Sequence, residues 1–121
     1  MCGITGFIST NNLTQNETKT VINNMASTLS HRGPDDTGCW NSESDQVALG
    51  HKRLAILDLT TSGHQPMISS SNRFVIVFNG EIYNHLKLRK EIDKYNISKN
   101  INLSWKGSSD TETLLVCFEL W

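Results

Sequence analysis

The chain has 121 residues, of which 37% are hydrophobic and 19% charged, with a formal net charge of −1 at pH 7. This length supports one hydrophobic core and hardly more than one domain, and the near-neutral charge with scattered basic residues argues against nucleic acid as a partner. No apolar run approaches the ~20 residues of a membrane span and no signal peptide is evident, so we expect no membrane partner and a cytoplasmic location.

The cysteines and histidines predict neither a disulfide framework nor a metal site. Cys2, Cys39 and Cys117 are far apart and odd in number, which favours reduced thiols in a chain of this length. No pair among the four histidines has the spacing typical of zinc ligands. We therefore predict that this chain binds no metal.

The amino end, Met1-Cys2-Gly3-Ile4, is the first candidate for chemistry. If an aminopeptidase removes Met1, Cys2 carries both a thiol and a free α-amine. Their unperturbed pKa values are near ~8.5 and ~7.7–8.0, so the amine can relay the thiol proton at neutral pH without a histidine. A lone cysteine at this position is more often an inert, small apolar residue. The nucleophile hypothesis therefore depends on the rest of the chain.

The first predicted elements are a strand and a helix. Residues 3–9 are rich in β-branched and aromatic side chains, which predicts a strand close to the amino end. The capping box formed by Thr14 and Glu17 predicts the start of a helix. Its apolar side chains share one helical face and are predicted to be core: Val21, Ile22, Met25, Ala26 and Leu29.

A strand pair is predicted next, over residues 37–40 and 47–53, with a polar connection between the strands. Arg53 stands at the end of the second strand. An apolar run from Leu54 to Leu59, which Asp58 interrupts, follows it.

Residues 74–78 predict a strand buried on both faces, because they are a short, continuous run of β-branched and aromatic side chains. The strand leads into Asn79-Gly80, a pair that is typical of hairpin turns. Yet a helix is predicted from Asn84 as its cap, so no partner strand is nearby. An asparagine amide and a glycine N–H at a strand end are also the donors of an oxyanion hole. Both interpretations stay open here.

The last predicted elements are a strand over residues 101–105 and a helix. The capping box formed by Ser109 and Glu112 begins that helix. No glycine, proline or polar tail ends it before Trp121, so we expect the chain to be cropped inside the helix.

Taken together, these segments closely resemble the glutaminase domain of glutamine-hydrolysing asparagine synthetases. Six short motifs in the same order along the whole chain carry the resemblance: Met1-Cys2-Gly3-Ile4-Thr5-Gly6-Phe7, His31-Arg32-Gly33-Pro34-Asp35, His51-Lys52-Arg53-Leu54-Ala55-Ile56-Leu57-Asp58-Leu59, Gly63-His64-Gln65-Pro66-Met67, Asn79-Gly80-Glu81-Ile82-Tyr83-Asn84 and Ser109-Asp110-Thr111-Glu112. The resemblance implies an N-terminal nucleophile hydrolase with an α+β fold, a four-layer α/β/β/α sandwich of stacked antiparallel sheets.

The same resemblance implies a role for individual residues. Cys2 would attack the side-chain amide of glutamine and form a thioester, with its own α-amine relaying the proton. The Asn79 side chain and the Gly80 N–H would stabilise the oxyanion. Arg53 would bind the α-carboxylate of glutamine. The remaining substrate-binding residues would be Leu54, Ile56 and Leu57 as pocket lining, and Glu81 and Asp110 as partners of the α-ammonium.

The resemblance also predicts what lies outside the chain. Residues 1–121 would be the N-terminal part of a longer glutaminase domain, followed by a synthetase domain that uses ATP and Mg²⁺ and accepts ammonia to make asparagine from aspartate. This chain itself would need no cofactor, and a homodimer is conceivable. Half of a sandwich would expose an apolar sheet face, so we expect these 121 residues alone to be weakly stable or self-associating.

Two other functions stay open. An amidotransferase of the same architecture could deliver ammonia to another acceptor, such as a sugar or a cell-surface precursor, because the acceptor site lies outside this chain. A non-catalytic glutamine-binding or assembly module is the second alternative. The presence of Cys2, Asn79 and Arg53 argues against it, since such a module has no need of a nucleophile.

Overall fold

The computed structural model describes residues 1–42, 44, 46–56 and 58–121. Its amino-terminal half is an antiparallel three-stranded sheet covered by one helix. In chain order the elements are β1 (Gly3–Ile8), α1 (Gln15–Ser27), β2 (Asp36–Asn41) and β3 (Val47–Arg53). The strand order is β1-β3-β2, so β3 is central and pairs with both neighbours. The predicted strand pair and first strand are confirmed.

The carboxy-terminal half is a two-stranded ladder followed by two helices. A single 3-10 turn (Thr61–Gly63) leads to β4 (Met67–Ile68) and β5 (Val75–Ile76), which pair antiparallel. The helices α2 (His85–Lys99) and α3 (Asp110–Leu120) come last and pack against each other. None of the helices in the described part of the chain combines the length and apolar character that a membrane crossing requires.

Helix α1 begins where the sequence predicts, because its capping box is formed in full. The Thr14 N–H donates to the Glu17 carboxylate over 2.8 Å, and the Glu17 N–H donates to the Thr14 hydroxyl over 3.3 Å. Ile22 and Ala26 are buried against the sheet, whereas Val21 is 39% exposed and lies at the edge of the predicted apolar face. The helix packs over Gly50 of β3, which leaves room for these side chains.

Two predicted strands are wrong or too long. Residues 101–105 form no strand in the structure, because no other strand lies beside them. Their half-buried side chains, Leu103 and Trp105, pack without any ladder. Of residues 74–78, only Val75 and Ile76 belong to a ladder, and none of the five is fully buried, since β4 is short.

The second capping box is half correct. The Ser109 hydroxyl accepts from the Thr111 N–H over 3.2 Å and caps α3 as expected. The Glu112 carboxylate, however, accepts from the N–H groups of Lys106 and Gly107 at 2.7 and 3.1 Å. Backbone N–H groups just before the helix therefore replace the N–H of Ser109 as the partners of Glu112. Asn84 likewise occupies the cap position of α2, but its side chain makes no capping hydrogen bond.

The architecture is mixed α and β with antiparallel sheets, and the α+β class is confirmed at that level. The four-layer sandwich stays a prediction. On the sheet face opposite α1, Ile4 and Ile8 are 47% and 77% exposed. This face of β1 is therefore apolar and open in the described part of the chain.

Candidate active site

One cavity of about 320 Å³ lies between the end of β3, the segment after β5 and the start of α3. All the sequence-predicted site residues that the structure describes line it: Cys2, Arg53, Leu54, Ile56, Asn79, Gly80, Glu81 and Asp110. The remaining one, Leu57, lies outside the described residues. Residues from four separate motifs, more than a hundred positions apart in the chain at the extremes, therefore meet at one place.

The position of Cys2 follows from the pairing of β1 with β3. Gly3 lies opposite Lys52 in this ladder, so continuing the register by one residue brings Cys2 level with Arg53. The Cys2 sulfur lies 3.3 Å from the Leu54 nitrogen and 3.6 Å from the Leu54 carbonyl oxygen. The Leu54 N–H can thus donate to the sulfur at the cavity wall. A thiol in this position is fixed by the backbone of the sheet.

Met1 also lines the cavity and is exposed. While Met1 is present, the nitrogen of Cys2 is a peptide amide and cannot act as a base. Removal of Met1 would leave the α-amine of Cys2 facing the same cavity as its thiol. The amine would then lie beside the nucleophile, which is the arrangement that amine-assisted thiol catalysis needs.

Arg53 is the last residue of β3, and its guanidinium is oriented by the loop that follows. The side chain is only 8% exposed. Nη1 donates to the Thr60 carbonyl oxygen over 2.9 Å and Nη2 donates to the Asp58 carbonyl oxygen. The guanidinium packs directly on the backbone of Gly63, where any Cβ would clash with it.

These two contacts leave other N–H groups of Arg53 available to a ligand. No ion pair is formed between Arg53 and any residue that the structure describes. Burying a cation without a counter-charge is costly, so an anionic group of a ligand is the natural partner for this guanidinium.

The Asn79-Gly80 pair is not a hairpin turn, because α2 follows it and the part of the chain described here has no strand after β5. Both residues are exposed at the cavity. A Cβ on Gly80 would lie 2.6 Å from the Phe78 ring, so a larger residue here would require that ring to shift. Asn79 and Gly80 share the cavity with Cys2, and the oxyanion-hole interpretation stays a prediction.

Two carboxylates, Asp110 and Glu81, also line the cavity. Asp110 is the first residue of α3 and only 5% exposed, and its Oδ2 accepts from the Ile82 N–H over 2.8 Å. This bond ties the segment after β5 to the start of α3. Glu81 is exposed at the same rim of the cavity. Together they provide negative charge that a ligand cation can use.

Sequence reasoning missed Gln65, which joins the two sides of the cavity. Its side-chain oxygen accepts from the Phe78 N–H over 2.6 Å, and its Nε2 donates to the Thr111 hydroxyl over 3.2 Å. Gln65 is buried and lines the cavity. Its motif was recognised, but no local pattern indicates that its amide connects β5 to α3.

Asp58 is the second residue that sequence reasoning missed. Its Oδ1 accepts from the hydroxyl and the N–H of Thr60 at 2.6 and 2.9 Å, and its Oδ2 accepts from the Ser108 N–H at 2.8 Å. The Thr60 hydroxyl first, and then the Thr60 and Ser108 N–H groups, outweigh burial and lower the pKa of Asp58 to about 2. A charged residue that interrupts an apolar run was the only available signal.

His51 lies two residues before Arg53 on the same face of β3 and is 1% exposed. Neither ring nitrogen has a well-formed hydrogen bond with a residue that the structure describes. Burial lowers the pKa of His51, although the nearby Phe78 backbone opposes this in part, so the ring is neutral at pH 7. In the described ranges, no three histidine, cysteine or acidic side chains are arranged to hold a metal ion.

Comparison with known proteins identifies the family of the chain. The family model for a glutamine amidotransferase domain matches residues 1–121. The chain is 38% identical over 123 residues to glutamine-hydrolyzing asparagine synthetase 3 of Bacillus subtilis, covering 100% of this chain and 18% of that protein. It is 35% identical over 119 residues to asparagine synthetase 1 of the same organism, covering 98% and 17%.

A third relative has a different name. The chain is 32% identical over 127 residues to amidase chry2 of Gibberella zeae, covering 98% of this chain and 18% of that protein. The chain thus spans less than a fifth of the length of these relatives. Since the family model matches the chain from residue 1 to residue 121, the chain belongs to the glutamine amidotransferase family.

Proposed function

We propose that this chain is the N-terminal part of a glutaminase domain that hydrolyses the side-chain amide of glutamine to glutamate and ammonia. The observation that carries the proposal is the buried Arg53 guanidinium, which has no ion pair in the described part of the chain and shares a cavity with the Cys2 thiol. A small zwitterion with an amide at its far end fits that combination of groups.

Recognition would use the two charged ends of the amino-acid part of glutamine. Its α-carboxylate would bind Arg53, whose planar fork of donors suits a carboxylate. Its α-ammonium would lie against Asp110 and Glu81 across the cavity. Leu54 and Ile56 would line the path of the methylene groups, and Leu57 is proposed to do the same. This orientation directs the side-chain amide toward Cys2.

The chemistry would follow the usual course of an amino-terminal thiol nucleophile. The Cys2 sulfur forms a bond to the amide carbon as its proton passes to the α-amine, giving a tetrahedral oxyanion that the Asn79 side chain and the Gly80 N–H stabilise. The C–N bond then breaks, the α-amine returns the proton to the departing ammonia, and a γ-glutamyl thioester remains. Water, deprotonated by the same amine, adds to the thioester, and glutamate leaves as the thiol is restored.

The ammonia would pass to a synthetase domain outside this chain. We propose that this domain makes asparagine from aspartate with ATP and Mg²⁺, because two of the relatives are named asparagine synthetases. No step at the cavity described here uses a cofactor or metal. A homodimer and a cytoplasmic location remain predictions of the sequence.

The first experiment is an intact mass spectrum of the natural full-length protein before and after incubation with a glutamine-analogue diazoketone. We expect loss of Met1 and a single adduct, which Cys2→Ala abolishes and the matched variant Cys39→Ala keeps. An adduct that persists in Cys2→Ala would contradict the assignment of the nucleophile. A protein that has lost Met1 but forms no adduct would favour the non-catalytic glutamine-binding module.

A second candidate function is delivery of ammonia to another acceptor, or amide hydrolysis alone. The similarity to amidase chry2 favours keeping it. The discriminating measurement is the product formed from glutamine, aspartate and ATP by the natural full-length protein. Asparagine formed in proportion to glutamate supports the synthetase proposal. Glutamate formed without asparagine supports the alternative.

A further inference from the structure

The short segment from Lys106 to Asp110, which we call the α3 entry loop, is held by charged side chains on opposite sides. It precedes α3 and delivers Asp110 to the rim of the cavity. Its backbone groups have partners in α2, in α3 and in the segment that follows β3. These contacts are more extensive than a helix cap requires, since the Ser109 hydroxyl already caps α3 by accepting from the Thr111 N–H.

On one side the loop is bound by Asp58, which is buried. The Ser108 N–H and hydroxyl donate to its Oδ2 at 2.8 and 3.2 Å. A Cβ on Gly107 would lie 2.5 Å from the same oxygen, so the loop backbone lies directly against the carboxylate. The carbonyl oxygen of Asp58 in turn accepts from Arg53. One residue therefore contacts both the guanidinium and the α3 entry loop.

On the other side the loop is bound by Arg89 of α2. Its Nη1 and Nη2 donate to the carbonyl oxygens of Gly107 and Ser109, each over 2.7 Å, and Nε donates to the Thr113 hydroxyl over 2.8 Å. The guanidinium forms an ion pair with Glu112 at 3.2 Å and lies 4.1 Å from the centre of the Trp105 ring. The bonds to the two carbonyl oxygens fix the loop backbone, the other contacts orient the guanidinium, and Arg89 does not line the cavity.

We propose that Asp58 and Arg89 are positioning residues for glutamine binding: they hold the α3 entry loop from opposite sides and so fix the Asp110 carboxylate relative to the Arg53 guanidinium. This inference rests on the proposed glutaminase function. A ligand whose ammonium and carboxylate sit on one carbon needs both partners at a set separation, because small displacements weaken charge-assisted hydrogen bonds steeply. The effect is transmitted through the loop backbone and requires no contact of Asp58 or Arg89 with the substrate.

The test compares glutamine with its desamino analogue, 4-carbamoylbutanoate, in the natural full-length protein. Asp58→Asn removes an acceptor for the Ser108 N–H, and Arg89→Lys keeps the charge but cannot bind both loop carbonyls. We expect the KM for glutamine to rise about tenfold with kcat nearly unchanged, the equivalent of roughly one misplaced charge-assisted hydrogen bond. The inhibition constant of the desamino analogue should not change, since it lacks the group that Asp110 binds.

The matched control is Glu119→Gln, a carboxylate near the other end of α3 that accepts from Ser70 and Ser71 and lies outside the cavity. It should leave both constants unchanged. Backbone hydrogen exchange at Ser108 to Thr111 should accelerate in the two positioning variants but not in the control. Equal weakening for glutamine and the desamino analogue, or unchanged exchange, would overturn the inference and show that the network only stabilises the fold.

Two measurements on the wild-type protein, ammonia release from glutamine and adduct formation at Cys2, distinguish failure of the proposed function from failure of the positioning inference. If the wild-type protein releases no ammonia from glutamine and Cys2 forms no adduct with the diazoketone, both proposals fall together. If the wild-type protein hydrolyses glutamine and the variants keep its KM, the positioning inference alone is wrong.

Discussion

Replacement of Arg53 by lysine distinguishes the effect of the positive charge at the cavity from the effect of the planar guanidinium donors. The guanidinium is nearly buried and already uses two N–H groups to bind the carbonyl oxygens of Thr60 and Asp58. A lysine ammonium keeps the positive charge, but it cannot bind these carbonyls and also offer a planar pair of donors to a carboxylate. The substitution therefore tests the bidentate interaction and leaves the net charge of the protein unchanged.

The expected effect follows from the contact that is lost. One hydrogen bond to a charged group contributes about 1.5–3 kcal/mol, so the KM for glutamine should rise roughly 10- to 150-fold. The value of kcat should change little, because the α-carboxylate is remote from the reacting amide and is bound equally in the ground and transition states. Ammonia release by the natural full-length protein, measured over a range of glutamine concentrations, gives both constants.

The neighbouring residue supplies the control. Lys52 extends from the other face of β3 and donates to the Thr37 hydroxyl over 2.6 Å, away from the cavity. Lys52→Arg makes the reverse exchange one position earlier and should leave KM unchanged. An unaltered KM in Arg53→Lys, or an equal change in Lys52→Arg, would refute the assignment of Arg53 as the carboxylate-binding residue.

The remaining predictions concern the amino terminus and pH. Retaining Met1 or adding an amino-terminal tag should abolish glutamine hydrolysis, because the α-amine becomes an amide; equal ammonia release with and without the tag would exclude the amine as the base. Since the pKa of Asp58 is lowered to about 2, its contribution to stability is present above the unfolded value near pH ~4 and is lost as the pH falls toward 2. Unfolding midpoints of wild type and Asp58→Asn should therefore differ at pH 6 and converge at low pH, and a constant difference would contradict this. Because burial lowers the pKa of His51, protonation of the unfolded chain should reduce stability as the pH drops below ~6.5, and His51→Met should flatten that dependence. An identical pH profile in the variant would show that His51 is not responsible.

Features that depend on neighbouring residues were predictable from the sequence. The box formed by Thr14 and Glu17 spans one helical turn, and nothing else competes for either side chain, so α1 starts as expected. The strand that the alternating side chains of residues 47–53 predict is also formed, because β1 and β2 pair with its two edges. In each case the local preference and the tertiary structure agree.

The errors arise where a distant partner outweighs a local preference. Glu112 would complete a capping box with Ser109, but Arg89 of α2 and the N–H groups before the helix bind it instead. Residues 101–105 alternate like a strand, yet a strand forms only where another strand lies alongside. Periodicity reports which side chains are buried, and it does not identify what buries them.

The candidate site was predicted in part, for a related reason. Cys2, Arg53 and the Asn79-Gly80 pair carry groups whose chemistry is recognisable in the sequence. Asp58 and Gln65 hold the cavity together through contacts with Ser108 and Thr111, which are 50 and 46 positions away. No motif of a few residues records such a contact, so the residues that support the cavity became visible only in the structure.

The pairing register between β1 and β3 fixes the position of the amino-terminal residues along the sheet. Each residue along a strand advances the chain by about 3.3 Å, which is more than a hydrogen bond tolerates. With Gly3 paired to Lys52, inserting one residue between Cys2 and Gly3 moves the sulfur a full step from Leu54, whereas removal of Met1 leaves this register unchanged. In protein engineering, a fusion cleavage site must therefore leave Cys2 as the first residue, with no extra residue between it and Gly3.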